Sequence, residues 1–121
     1  MSNRVEGGFA LVKTLKDLGI SDVFTLAGGH INPIYNACRE LGIRLIDTHH
    51  EQGASMAADA YGRVTKKPGI CLVTAGPGLT NVITGMSGAF YQILLVYLYQ
   101  ENQGLKKTID FRSRKLIRRP W

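Results

Sequence analysis

Glu51 is the residue of this chain best placed for acid–base chemistry. It stands in Asp47-Thr48-His49-His50-Glu51-Gln52-Gly53-Ala54, where an apolar strand pattern runs out and an alanine-rich helix pattern begins. About two dozen residues on, a second strand pattern ends in Thr74-Ala75-Gly76-Pro77-Gly78-Leu79-Thr80-Asn81. An acid at one strand-to-helix junction and a glycine-proline-glycine turn at the next come to the same edge of a sheet, where open α/β folds bind ligands.

A carboxylate in the first turn of a helix is favoured in its ionised form by the macrodipole. Partial burial works the other way and raises its pKa. A group balanced between the two can share a proton with a ligand nitrogen. Ala54, Ala57, Ala58 and Ala60 give the following helix little bulk, so another backbone or a flat ligand can approach closely. In Gly76-Pro77-Gly78 the glycines allow positive φ and close approach, while the proline fixes one torsion. This is not a phosphate loop, because no Gly-Lys-Ser/Thr follows, and Gly28-Gly29-His30 lacks the spacing of a dinucleotide fingerprint. His30, His49 and His50 have no cysteine or carboxylate pattern to complete a zinc site. His50 or His30 singly could stand beside a ligand; His49 and His50 point to different sides if extended.

The elements that must position these residues alternate. Phe9, Val12, Leu15 and Leu18 follow helical spacing, with Val5 before them and Gly19 placed to end the helix. Residues 22–27 read as a buried strand. A second helix starts near Asn32-Pro33, with proline tolerated in the first turn, and Gly42 closes it. Arg44–Thr48 is the second strand, Glu51–Val64 the third helix, and Lys66-Lys67-Pro68-Gly69 a turn. Ile70–Thr74 is the third strand, and a weaker fourth helix runs from Asn81 to about Tyr91, its propensity lowered by Gly85 and Gly88. Apolar strands separated by helices predict an α/β fold of three layers, a parallel sheet covered by helices on both faces. Right-handed crossovers then gather three loops at one edge: Gly28-Gly29-His30, His49-His50-Glu51 and Gly76-Pro77-Gly78.

The 121 residues allow one domain at most, and a hydrophobic share of 45% suits a buried core. No apolar run approaches the roughly 20 residues of a membrane span, and the start lacks the order of a secretory signal. Cys38 and Cys71 have no metal-ligand spacing and are expected as reduced core residues in a cytoplasmic protein. The net charge of +6 is unevenly placed. Residues 1–99 hold eight basic and seven acidic side chains, and residues 100–121 hold seven basic and two acidic ones. The body is near neutral, so its function does not follow from the overall charge. After Ile93–Tyr99, which reads as a strand, no hydrophobic period continues, and residues 100–121 are expected to be poorly ordered unless a partner holds them.

The ordered set His49-His50-Glu51-Gln52-Gly53-Ala54 through Arg63, then Lys67-Pro68-Gly69-Ile70, then Thr74 to Asn81, resembles the N-terminal, pyrimidine-binding domain of thiamine-diphosphate enzymes. The nearest branch is the acetolactate synthase-like one, with its 2-hydroxyacyl and oxalyl decarboxylases and lyases. Gly28-Gly29-His30-Ile31-Asn32-Pro33 fits the first loop of that domain. The resemblance covers residues 4 to about 91, and with Ile93–Tyr99 it sets a partial domain at 1–99. It implies thiamine diphosphate as cofactor and Glu51 as the catalytic residue. The matching glutamate of the family hydrogen-bonds the aminopyrimidine ring, promoting the imino tautomer that deprotonates the thiazolium carbon; the cofactor then serves as electron sink in 2-keto acid decarboxylation or carboligation. Gly28, Gly29, His50, Gly76, Pro77, Gly78 and Asn81 would line the cofactor pocket with it.

The departures from the family carry equal information. The middle domain and the diphosphate-binding domain, which supplies magnesium and its ligands in the family, have no counterpart in these residues, and 100–121 resembles nothing in it. The preferred expectation is a truncated enzyme, a half-site inactive alone and prone to self-association as a homo-oligomer through the small-residue helix. A second reading is one subunit of a split enzyme, partnered by a chain carrying the diphosphate-binding domain. A third is a non-enzymatic protein whose basic tail contacts nucleic acid or an acidic membrane; no nucleic-acid-binding motif supports it, and neither partner is expected.

Overall fold

A computed structural model of the chain describes residues 7–90. Helix α1 (Gly7–Asp17) leads into strand β1 (Asp22–Thr25), a single 3-10 turn (Gly29–Ile31) and helix α2 (Asn32–Leu41). Strand β2 (Arg44–Asp47), helix α3 (Glu51–Thr65) and strand β3 (Ile70–Leu72) follow, and two short helices, α4 (Pro77–Asn81) and α5 (Ile83–Phe90), complete the order. The strands form one parallel sheet in the order β2-β1-β3.

Side chains alternate across a strand, and here the alternation sorts the core into two halves. Val23, Ile70 and Leu72 face one side, where they pack with Val12 of α1 and with Ile34, Ala37 and Cys38 of α2. Phe24, Cys71 and Val73 face the other, packing with Ala54 and Ala58 of α3 and with Val82. Helices therefore cover both faces, and the three-layer α/β architecture expected from the apolar strand runs is the observed one. β1 is buried along its whole length, whereas β2 is only half-buried.

Buried polar groups in the sheet are partnered. Thr25, fully buried, donates its hydroxyl to the Leu72 carbonyl at 2.6 Å and lies 2.6 Å from the Tyr35 hydroxyl. At the opposite end of β1, Asp22 accepts from Ser21 Oγ at 2.6 Å and Arg44 Nε at 2.5 Å. Tyr61 of α3 reaches the same carboxylate at 3.4 Å and packs edge-on against Phe24. The sheet's N-terminal edge is thus tied by structural polar contacts. Cys38 and Cys71 are buried and free.

Two expectations need adjusting. The strands end sooner than their apolar runs, at Thr25, Asp47 and Leu72. The helix expected from Asn81 to about Tyr91 is α5, and a further short helix, α4, precedes it from Pro77 and ends at Val82, whose N–H turns back to the Leu79 carbonyl at 3.3 Å. Proline is tolerated at the first helical position because its missing N–H would have no partner there. The strand expected at Ile93–Tyr99 and the basic segment 100–121 lie outside the described residues.

Candidate functional site

The C-terminal ends of the three strands open into the loops expected to meet. The chain leaves β1 toward the α2 face, whereas it leaves β2 and β3 toward the face of α3 and α5. Where neighbouring strands send their connections to opposite faces, a crevice opens at their carboxyl ends. Glu51 lies at this edge, at the start of α3.

Glu51 is the first residue of α3 and is only 9% exposed. Its position is fixed by the residue before it. His50 is extended, and its Nδ1 accepts the Gln52 backbone N–H at 3.1 Å, satisfying one of the donors that a helix leaves open at its start. His50 therefore acts as the cap of α3, with its ring exposed at the rim. Thr48 draws the end of β2 against β1, its N–H and hydroxyl both donating to the Thr25 carbonyl, at 2.8 and 3.0 Å.

The other wall comes from the loop after β3. Asn81 Nδ2 donates to Glu51 Oε2 at 2.9 Å, joining residues thirty positions apart. That bond is the first reason the Glu51 carboxyl is held below its ordinary range. The backbone N–H of Glu51 itself adds to it, burial pulls the other way, and the nearby His50 contributes less. The sequence points to the helix dipole as the opponent of burial; the Asn81 side-chain amide is an opponent that no local pattern announces. Gly78 is buried, and a methyl group placed on it would sit 3.6 Å from Glu51 Oε1.

Thr74 connects this wall to the first loop. A Cβ on Gly28 would lie 2.5 Å from Thr74 Cβ, and one on Gly78 would lie 3.0 Å from Thr74 Cγ2. The threonine is wedged between the two glycines, and His30 Nδ1 lies 3.3 Å from its hydroxyl. The sequence singles out Thr74 only as part of a motif. Its signal is a β-branched residue between a strand and a glycine turn, with glycine following the neighbouring strand. Gly29 and Gly76 behave differently: nothing lies within 4 Å of where their side chains would be. Gly76 has φ +74 and Pro77 is exposed as the first residue of α4. Glu51 thus bonds Asn81 and adjoins Gly78, Gly28 joins them through Thr74, and Gly29, His50, Gly76 and Pro77 are exposed at the rim.

This arrangement suits a flat, nitrogen-bearing ring. It offers one nearly buried carboxylate with glycine backbone beside it at Gly78. The loops 26–31, 48–53 and 73–81 contain no lysine or arginine, so they present no fixed cation to a diphosphate. Among the described residues no group of three or more His, Cys, Asp or Glu could hold a metal ion.

Residues 5–97 match the family model described as "Thiamine pyrophosphate enzyme, N-terminal TPP binding domain". The chain belongs to that family. It is 51% identical over 85 residues to an acetolactate synthase large subunit of Mycobacterium tuberculosis, a match covering 70% of this chain and 16% of the mycobacterial protein. It is 48% identical over 83 residues to human 2-hydroxyacyl-CoA lyase 2, covering 69% of this chain and 13% of the lyase. A probable 2-ketoarginine decarboxylase of Pseudomonas aeruginosa is 46% identical over 83 residues, 69% of this chain and 15% of that protein. The chain therefore spans less than a fifth of the length of these relatives.

Proposed function

We propose that this chain forms the aminopyrimidine-facing half of a thiamine diphosphate site of the acetolactate synthase-like kind, with Glu51 as its catalytic residue. The observation that carries the reading is the nearly buried Glu51 carboxylate at the carboxyl edge of a parallel sheet, faced by unsubstituted glycine backbone. The cofactor, when bound, supplies the nucleophilic carbon and the electron sink for 2-keto acid decarboxylation or carboligation. What these residues do is narrower. Glu51 Oε1 holds or passes a proton to a ring nitrogen, Gly78 lets the ring approach, and Gly28, Gly29, Gly76 and Pro77 shape the rim. A carboxyl held below its ordinary range by Asn81 releases that proton readily.

The diphosphate and its magnesium need cationic and metal-binding groups that the loops of this edge do not offer, so a diphosphate-binding domain completes the site. This chain alone is a half-site without turnover. Calorimetry of the full chain with thiamine diphosphate and magnesium is expected to show no measurable binding. Millimolar thiamine is expected to shift amide NMR signals of residues 76–81 and 50–53, and to lose that effect in Glu51→Gln. Shifts confined to other surfaces, or micromolar diphosphate binding that Glu51→Gln leaves unchanged, would refute the assignment.

A further inference from the structure

We infer that Asn81 is a positioning residue: its side-chain amide fixes the Glu51 carboxylate through Oε2 and leaves Oε1 as the oxygen that meets the ligand. This deepens the half-site reading, but it concerns two protein side chains and is testable without any ligand.

The geometry assigns the two oxygens different work. Asn81 closes α4, and the next residue, Val82, is completely buried, which anchors the amide from behind. Its Nδ2 reaches Glu51 Oε2 at 2.9 Å, within the range of a good N–H···O bond. An amide donor does not titrate, so it remains a fixed dipole at every working pH. While Oε2 accepts from it, a proton taken up by the carboxyl resides on Oε1. That oxygen lies beside buried Gly78, 3.6 Å from where a Cβ on it would fall, in a space shared with Thr74 and Val73. A donor aimed at the ionised form also favours that form, in keeping with the lowered pKa of Glu51 and with the amide as its first cause. Asn81 thus determines both where the exchangeable proton sits and how readily it leaves. A purely steric asparagine, lining the pocket wall, would do neither.

The test follows the Glu51 side-chain carboxyl carbon by NMR in the full chain, from pH 7 to 2, without thiamine. The unmutated protein is expected to titrate below the usual carboxylate range. Asn81→Leu, of similar volume but without a donor, is expected to raise the midpoint. Asn81→Asp, which replaces the donor with a second carboxyl, is expected to raise it further. An unchanged midpoint in an Asn81→Leu protein that keeps the amide spectrum of the fold would overturn the inference. Should both variants fail to fold, the unmutated chain still decides. The Asn81 Nδ2 protons are expected to shift with the Glu51 midpoint, and side-chain amide signals that pass through it without inflection defeat the proposal. Loss of the thiamine-induced shifts alone would refute the half-site and leave the Asn81 bond standing. A missing Asn81 dependence with those shifts intact would do the reverse.

Discussion

Gly85 of α5 lies directly against Ser55 of α3: a Cβ at position 85 would fall 2.0 Å from Ser55 Oγ and 2.7 Å from Ser55 Cβ. Ser55 is fully buried and its hydroxyl already donates to the Gln52 carbonyl at 2.9 Å, so it has no space to retreat. Three residues on, Gly88 faces open space. The two positions separate packing from propensity. Alanine at either gains up to about 1 kcal/mol of helix propensity, but overpacking costs about 1–3 kcal/mol and applies only at 85. Gly85→Ala is expected to destabilise the fold, and Gly88→Ala to stabilise it by some tenths of a kcal/mol, since it lies near the helix end. Urea midpoints of the two variants decide the matter, and equal shifts of one sign would contradict the packing argument.

That contact also shows what was legible in the sequence and what was not. The helix-strand alternation was legible because each strand is a short apolar run bounded by turn residues, and each helix carries its own stop. Gly42 ends α2 at φ +71, where the sequence placed it. By sequence the alanines of α3 suggest room for a ligand. Ala54 and Ala58 instead face the sheet, and Ser55 takes α5. Period alone marks a small-residue face without saying what lies on it. The start of α4 is not legible because Gly76-Pro77-Gly78 reads as loop by propensity, while the tertiary fit of Gly78 between Thr74 and Glu51 overrides that preference. Glu51 is legible from its junction, but its bond to Asn81 depends on how two loops meet across the sheet edge, and no local pattern encodes that.

Lys66 shows a local rule broken at small cost. It ends α3 in the left-handed region at φ +60, with its N–H bonded to the Gly62 carbonyl at 3.0 Å. Side chains there cost about 1–2 kcal/mol, glycine adds about 0.5–1 kcal/mol of unfolded-state entropy, and loss of a basic residue at a helix C-terminus costs about 0.3 kcal/mol or more. The balance favours Lys66→Gly by roughly 0.5 kcal/mol, read as a rise of a few degrees in Tm. A lower Tm for this variant would show that the lysine charge outweighs the backbone strain.

Asp22 sets part of the acid limit. Its carboxyl is held below the ordinary range first by Ser21, then by Arg44, with Tyr61 contributing less and burial opposing them. A carboxyl whose folded pKa is depressed stabilises the fold above its unfolded value of about 3.9; that stability is lost as pH falls through the lower folded value. Glu51 has the same sign. Urea midpoints are expected to hold from pH 7 to 5 and to fall below about pH 4. Asp22→Asn is expected to make the acid limb shallower while leaving the Glu51 share. Because the Arg44 side chain is 73% exposed, added salt is expected to weaken its part. An acid limb equally steep in Asp22→Asn would remove Asp22 from the explanation.

The two thiols set an alkaline limit of opposite sign. Burial pushes Cys38 up to about 11, and burial followed by the Glu51 charge pushes Cys71 up to about 12. A thiol whose folded pKa is raised gives stability that is complete below the unfolded value of about 8.5. Above that value the unfolded chain loses the proton first, so stability declines as pH rises toward the folded pKa, by at most about 1.4 kcal/mol per pH unit for each thiol. Urea midpoints are therefore expected to be level from pH 7 to 8 and to drop above about pH 9. Cys71→Ala is expected to start from a lower stability, since it leaves a small cavity between Phe24 and the Ala54–Ala58 face, but to decline less steeply with pH. At pH 8 a thiol reagent is expected to label both cysteines of the unmutated chain only as fast as it unfolds. Labelling of Cys71 faster than unfolding would show that the face of the sheet beneath Glu51 opens by itself, and the alkaline limit would then belong to local opening and not to the fold.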